Sequence, residues 1–196
     1  VHDLSPKEAQ FSPKAKRVIH IFLNGGLSQV DSFDPKPELD KYDGKILPVT
    51  YKTERPTGTG MKSPFAFKQY GESGIPISEI FSEMGEVADE LCVIRSMHTN
   101  VPFHERSILL MNCGETSLVR PSLGSWMTYG MGSINQNLPG YVCLIPKGKP
   151  TTGARSWQSA FLPGIYQGTY VQTENYTHEL MKNLKNRRVG SELQKS

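Results

Sequence analysis

Val18-Ile19-His20-Ile21-Phe22-Leu23-Asn24-Gly25-Gly26 is the stretch whose reading decides the fold. Apolar residues run almost unbroken from Val18 to Leu23, the pattern of a strand covered on both faces in a parallel sheet. The run stops at a glycine pair, which frees the backbone for a sharp turn. In open α/β sheets ligands sit at the carboxyl edge of the strands, so the loop that begins at Asn24 is the best-placed loop in the sequence.

Working outward, two further short apolar runs, residues 92–94 and 141–145, read as buried strands. Between the first two runs, residues 78–91 read as a helix. Ser78 stands at its cap, Glu79 in its first turn, and Ile80, Phe81, Met84, Val87, Ala88 and Leu91 on one apolar face. Helices are also predicted over residues 104–112, stopped by Gly114, and from Pro121 through Met127, dissolving at Gly130 and Gly132. Residues 34–37 and 42–45 carry turn signatures with a short helix between them at residues 37–42. Phe65 and Phe67 alternate in an edge-strand pattern over residues 62–70, and residues 147–168 form a long loop. The order strand, helix, strand, helix, helix, strand predicts an α/β fold with a mostly parallel sheet flanked by helices. Residues 1–15, polar and carrying Pro6 and Pro13, read as an extended N-terminal tail, and residues 16–196 as part of one domain. Residues 191–196 resemble the capped first turn of a helix with one apolar anchor. A turn that short is marginal alone, so the domain reads as incomplete.

Composition bounds the function. Of 196 residues 37% are hydrophobic, below the usual apolar share, while Gly 18 and Pro 14 mark a loop-rich chain. The net charge of +3 is scattered, and the one dense basic cluster, Lys182, Lys185, Arg187 and Arg188, reads as a solvated helix face. No nucleic-acid motif accompanies it, so nucleic acid is set aside as a partner. Cys92, Cys113 and Cys143 form no CxxC pair, and an odd count argues against a disulfide framework. They read as buried free thiols. No apolar run is long enough to span a bilayer, and the chain opens on Val1 with no signal peptide.

The stretch from Asn24 to Pro37, Asn-Gly-Gly-Leu-Ser-Gln-Val-Asp-Ser-Phe-Asp-Pro-Lys-Pro, closely resembles the opening motif of a bacterial family of domains of unknown function, number 1501. Leu91-Cys92-Val93-Ile94-Arg95-Ser96-Met97-His98-Thr99 fits the same family, as do His104-Glu105 and Arg120-Pro121-Ser122-Leu123-Gly124-Ser125-Trp126. Asn137-Leu138-Pro139-Gly140 and Ser159-Ala160-Phe161-Leu162-Pro163-Gly164 also match, in order, from about Lys14 to the end. The resemblance implies a fold similar to alkaline phosphatases and sulfatases, of which this chain is the N-terminal half. It also implies an exported protein acting on a phosphate or sulfate ester of a small molecule or polysaccharide. A divalent metal, zinc or calcium, belongs to the full-length parent on that reading, with most ligands in the C-terminal half of the same domain. The alternative is a non-catalytic binding or cell-surface protein on the same fold with a degenerate metal site.

Candidate residues follow. Asn24, Gly25, Gly26 and Ser28 read equally as an anion-binding loop and as a tight turn. In the superfamily an acidic residue follows the first strand and helps hold the metal. Here that residue is Asn24, a neutral oxygen ligand, and Asp31 or Asp34 would have to substitute. Asp34 before Pro35 is also a turn former. His98, His104 and Glu105 lie just after the second strand, with a histidine as acid–base or metal ligand and Glu105 orienting it. The opposing reading makes His104 and Glu105 ordinary polar residues opening a helix. Arg95 reads as an anion clamp or a partner for a carboxylate. No sulfatase-type Cys-x-Pro-x-Arg pattern is present, and the nucleophile stays open. Trp126 and Trp157 read as packing anchors.

Overall fold

The structure is a computed structural model, and it describes residues 4–49, 53, 55–146, 148 and 150–172. The terminal helical turn at residues 191–196, the basic cluster from Lys182 to Arg188 and His178 lie outside the described residues. The chain is mixed α/β, with helices and small sheets, and it divides into two units, Ile21–Phe103 and the combination of Val1–His20 with His104–Ser196.

In the first unit, helix α1 (Leu39–Tyr42) follows the prolines at 35 and 37, as the turn chemistry there predicts. Strands β1 (Phe67–Tyr70) and β2 (Ile75–Ser78) pair antiparallel, Phe67 opposite Ser78 and Tyr70 opposite Ile75. The hairpin is closed by Asp89, whose carboxylate accepts from the backbone N–H groups of Glu72 at 2.9 Å and Ser73 at 2.8 Å. Those charge-assisted bonds, the one from Ser73 first, hold its carboxyl below the usual carboxylate range. The fully buried Ile77 and the buried Ala88 anchor this unit.

The helix expected over residues 78–91 is a 3₁₀ segment, Glu79–Glu90, with non-helical backbone at Phe81 and Val87. The tighter winding changes the inward face. Phe81, Met84, Gly85, Ala88 and Leu91 turn inward at roughly three-residue spacing, whereas Ile80 and Val87 face solvent. Ser78 does not cap it: its hydroxyl is buried and has no hydrogen-bond partner, while its backbone N–H donates to the Ser32 carbonyl at 2.9 Å. Ser78→Ala is therefore expected to leave stability unchanged or raise it by up to about 1 kcal/mol, because an unpaired buried hydroxyl costs more than it returns. A loss above that size in urea unfolding would show that the hydroxyl has a partner.

In the second unit, helix α2 (His104–Cys113) ends where Gly114 takes a left-handed backbone and donates to the Leu110 carbonyl. It buries Ile108 and Leu109 and packs against the 3₁₀ turn Gly153–Trp157. Helix α3 (Leu123–Met131) is capped by Ser122, whose hydroxyl accepts from the Ser125 N–H. Ser122 and Ser125 are both buried, and the Ser125 hydroxyl donates to the Gln158 carbonyl at 3.0 Å, tying the helix to the following loop. Residues 4–7 are extended and docked on the end of α3: Lys7 N–H donates to Met131 and Ser133 N–H to Leu4.

Strands β3 (Val142–Ile145) and β4 (Thr169–Gln172) pair in parallel, Val142 opposite Thr169 and Ile145 opposite Gln172. The long loop between them supplies the crossover that parallel pairing demands. Strand β4 escapes a pattern search because polar Thr169 and Gln172 leave only Tyr170 and Val171 to signal it.

The three-stranded parallel sheet predicted from residues 18–23, 92–94 and 141–145 is corrected: among the described residues the sheets are two-stranded, and only the third run is in one. Residues 18–23 and 92–94 lie outside any strand. The physical reason is lack of cover. Ile19 is 86% and Ile21 76% exposed, so the apolar run that the pattern reads as buried is largely uncovered among the described residues. Leu144, on β3, is likewise 66% exposed. No helix among the described residues is long and apolar enough to cross a membrane.

Candidate functional site

The Asn24-Gly25-Gly26 loop is a tight turn. Gly26 N–H donates to the Leu23 carbonyl at 2.9 Å, and both glycines carry positive φ, +97° and +83°. A Cβ at either would meet no atom within 4 Å, so glycine is needed here for backbone conformation rather than for space. Ser28 turns its hydroxyl onto Asp31 at 2.6 Å. Hydrogen bonds from Ser28 and then Ser63 hold the Asp31 carboxyl below the usual range.

Asp34 is buried and ion-paired with Lys36 at 2.6 Å, and its N–H donates to the Gln29 carbonyl at 3.0 Å. The sequence singled out Asn24, Asp31 and Asp34 as metal ligands, yet these donors are turned to other work. Asp34 neutralises a lysine, Asp31 collects two serine hydroxyls, and Asn24 offers only a neutral oxygen. Among the described residues no group of three or more His, Cys, Asp or Glu side chains could hold a metal ion. The donor set does not fit a divalent-metal site.

Arg95 is exposed in the turn after residues 92–94, and His98 is exposed with Nδ1 3.3 Å from the Ser96 carbonyl. These two belong to the unit Ile21–Phe103, whereas His104 and Glu105 open α2 in the other unit. Of the residues picked from sequence, the structure joins Ser28 to Asp31 and sets His104 beside Glu105 on the first turn of a helix, where a carboxylate is favoured by the helix dipole.

Glu105 lines a cleft of about 310 Å³ with Arg106, Leu109, Thr116, Ser117, Thr151, Thr152 and Arg155. The walls come from α2, from the turn after it and from the start of the Gly153–Trp157 segment. Apart from Glu105, these residues were not legible in the sequence, because they are scattered polar positions with no spacing rule. The adjacent pair Thr151-Thr152 and the lone Arg155 are the only signals, and both are common in surface loops.

The Cys113 and Cys143 thiols are not poised for nucleophilic attack. Burial pushes the Cys113 thiol up, the Arg155 charge opposing it, and burial likewise pushes up Cys143. Burial also drives the Tyr141 phenol upward, with the neighbouring Cys143 adding to it. All three thiols are free, but where buried ones were expected Cys113 and Cys143 are half-buried and Cys92 is exposed.

A family profile described as "Protein of unknown function (DUF1501)" matches residues 15–195. No curated protein and no solved structure matches the chain.

Proposed function

The chain belongs to the DUF1501 family of proteins of unknown function, and we propose that it is the ester-recognising part of an exported protein on an alkaline phosphatase and sulfatase-like fold. The observation that carries this reading is the position of His104 and Glu105. They share the first turn of α2, and Glu105 lines a cleft that also holds two arginines. A carboxylate beside cationic groups, one residue from a histidine in the chain, suits attack on a phosphate or sulfate ester, the histidine moving a proton while guanidinium groups draw in the negative ester.

The exposed Leu144 on β3 supports the same reading, since parallel strands are normally covered on both faces. On this proposal further polypeptide of the same domain covers it. The second reading, a binding or cell-surface protein without turnover, is favoured by one observation, the engagement of Asp34 with Lys36 where a metal ligand would be wanted.

Assays separate the two. The 196-residue chain alone is expected to turn over no chromogenic phosphate or sulfate ester, even with zinc, calcium or manganese, because metal-assisted hydrolysis needs several fixed ligands. The intact exported protein is expected to turn one over, and His104→Ala to reduce its rate by about 10²-fold or more, the usual worth of a positioned acid–base group. An intact protein that binds such esters without turnover would establish the binding reading. Turnover unaffected by His104→Ala would remove His104 from the chemistry.

A further inference from the structure

We propose that Lys14-Ala15-Lys16-Arg17 is a proteolytic processing site, at which one cut by an endopeptidase specific for basic residues frees the N-terminal segment docked on α3. The proposal is independent of the ester-hydrolase reading. A protease draws its substrate into its own cleft as an extended strand, so it cuts where backbone is exposed and not already hydrogen-bonded. Every residue from Glu8 to Arg17 is exposed and outside any helix or strand. Among the described residues no hydrogen bond or ion pair engages residues 8–17. Phe11 is 84% exposed, so apolar packing does not pin the segment either. Three of the four residues 14–17 are cationic. In an extended chain Lys14 and Lys16 share one side and Arg17 takes the other. An acidic pocket that receives the Arg17 guanidinium therefore sets the Arg17–Val18 bond at the catalytic group, with two ammonium groups beside it for further carboxylates. The other described arginines outside helices offer less. Arg55 and Arg120 precede Pro56 and Pro121, whose rings lack the N–H and crowd the bond, and Arg95 stands alone in a tight turn.

The cut is a hydrolysis: the C–N bond between Arg17 and Val18 breaks, water gives its hydroxyl to the Arg17 carbonyl carbon, and Val18 leaves with a free amino group. Its consequence follows from how little holds the docked segment. Lys7 N–H donates to the Met131 carbonyl at 3.0 Å, and the Leu4 carbonyl accepts from Ser133 N–H at 2.6 Å and from the Gln136 side chain at 3.0 Å. The Lys7 ammonium bonds the Tyr129 carbonyl and sits 4.5 Å from the centre of that ring. Leu4 alone is buried among residues 4–17. Such a set of contacts suffices while the chain itself holds the segment at an effective concentration on the order of millimolar. Once cut, the peptide bears the whole loss of translational and rotational freedom, and its Kd is expected at about millimolar or weaker. At micromolar protein it leaves, uncovering the Tyr129 ring and the end of α3.

The test is brief digestion of the whole chain with a trace of trypsin, the probe for a base-specific endopeptidase, read by intact mass. A product that begins at Ala15, Arg17 or Val18 is expected before any cut at another Lys or Arg of the described residues. The variant carrying Lys14→Gln, Lys16→Gln and Arg17→Gln should lose this cut and keep every other. After the cut, gel filtration at micromolar protein should separate the peptide of residues 1–17 from the remainder, and the remainder should melt below the intact chain. Synthetic peptide of residues 1–17, added back at millimolar concentration, should raise that melting temperature again, and a peptide carrying Lys7→Ala should raise it less. In Gly132→Ala, where the segment has no seat, the cut should leave the melting temperature where it was. Earlier cutting at Arg95 or inside a helix, a peptide that stays with the cut chain through gel filtration, or a cut chain that melts like the intact one would each overturn the proposal.

Discussion

Gly132→Ala is expected to cost about 3 kcal/mol of stability, lowering the melting temperature by ~6–12 °C. Two effects act together at this position. Gly132 ends α3 in a left-handed backbone, φ +72°, where a Cβ is strained. A Cβ would also run into the backbone carbonyl of Ser5 and stand 2.9 Å from the Leu4 carbonyl oxygen. Backbone cannot give way as a flexible side chain does, so the docked N-terminal segment would have to leave. With it would go the hydrogen bonds from Lys7 to Met131 and from Ser133 to Leu4, and the contact of the Lys7 ammonium with the Tyr129 carbonyl and ring. Gly130→Ala makes the control. Gly130 lies inside α3, has normal helical backbone and open space around it, so alanine there should raise stability by roughly 0.5–1 kcal/mol. Thermal or urea unfolding of the two variants checks both signs. A Gly132→Ala protein as stable as wild type would mean that the N-terminal segment is not held on α3.

That pair also marks where sequence reading stops. Gly130 and Gly132 look alike in the sequence, and both read as the end of the same helix. Only the backbone angle at Gly132 and the approach of Ser5 separate them, and the second comes from residues far away in the chain. Local chemistry carries local features well: α2 with its Gly114 stop, the helix that opens after Pro121, the turns around Asp34 and Gly44, and strand β3 all follow from nearby residues. It fails where the outcome depends on a distant partner. Residues 18–23 have the composition of a buried strand, but burial is a property of what lies opposite, and Ile19 and Ile21 are exposed among the described residues. The segment after Ser78 has the spacing of an α-helix, and two breaks in the backbone rotate Ile80 and Val87 away from the face that spacing assigns them. For the candidate site the same division holds. The helix start that carries His104 and Glu105 was legible, whereas Arg155 reaches the cleft only through the packing of the Gly153–Trp157 turn on α2.

The two tryptophans, which the sequence treats as equivalent packing anchors, are expected to behave very differently. Trp157 is 4% exposed and stacks on Tyr170 of β4 at 5.7 Å with the rings 17° apart, while its carbonyl accepts from Gly168 N–H and from the Gln167 side chain. It therefore joins the turn that borders the cleft to the strand that completes the parallel pair. Trp126 is 43% exposed on the outer side of α3, meeting Tyr129 and Phe161 edge-on. Truncating a buried tryptophan removes its transfer energy and leaves a cavity, so Trp157→Ala should cost about 3–5 kcal/mol, against ~1 kcal/mol for Trp126→Ala. With only two tryptophans in the chain, each variant leaves a single fluorophore as its own reporter. Trp126→Ala should retain a blue-shifted emission that moves red on unfolding, because the buried Trp157 remains. Trp157→Ala should emit red even before denaturant is added and unfold at markedly lower urea. Equal losses of stability would show that Trp126 is covered by something absent from its surroundings here.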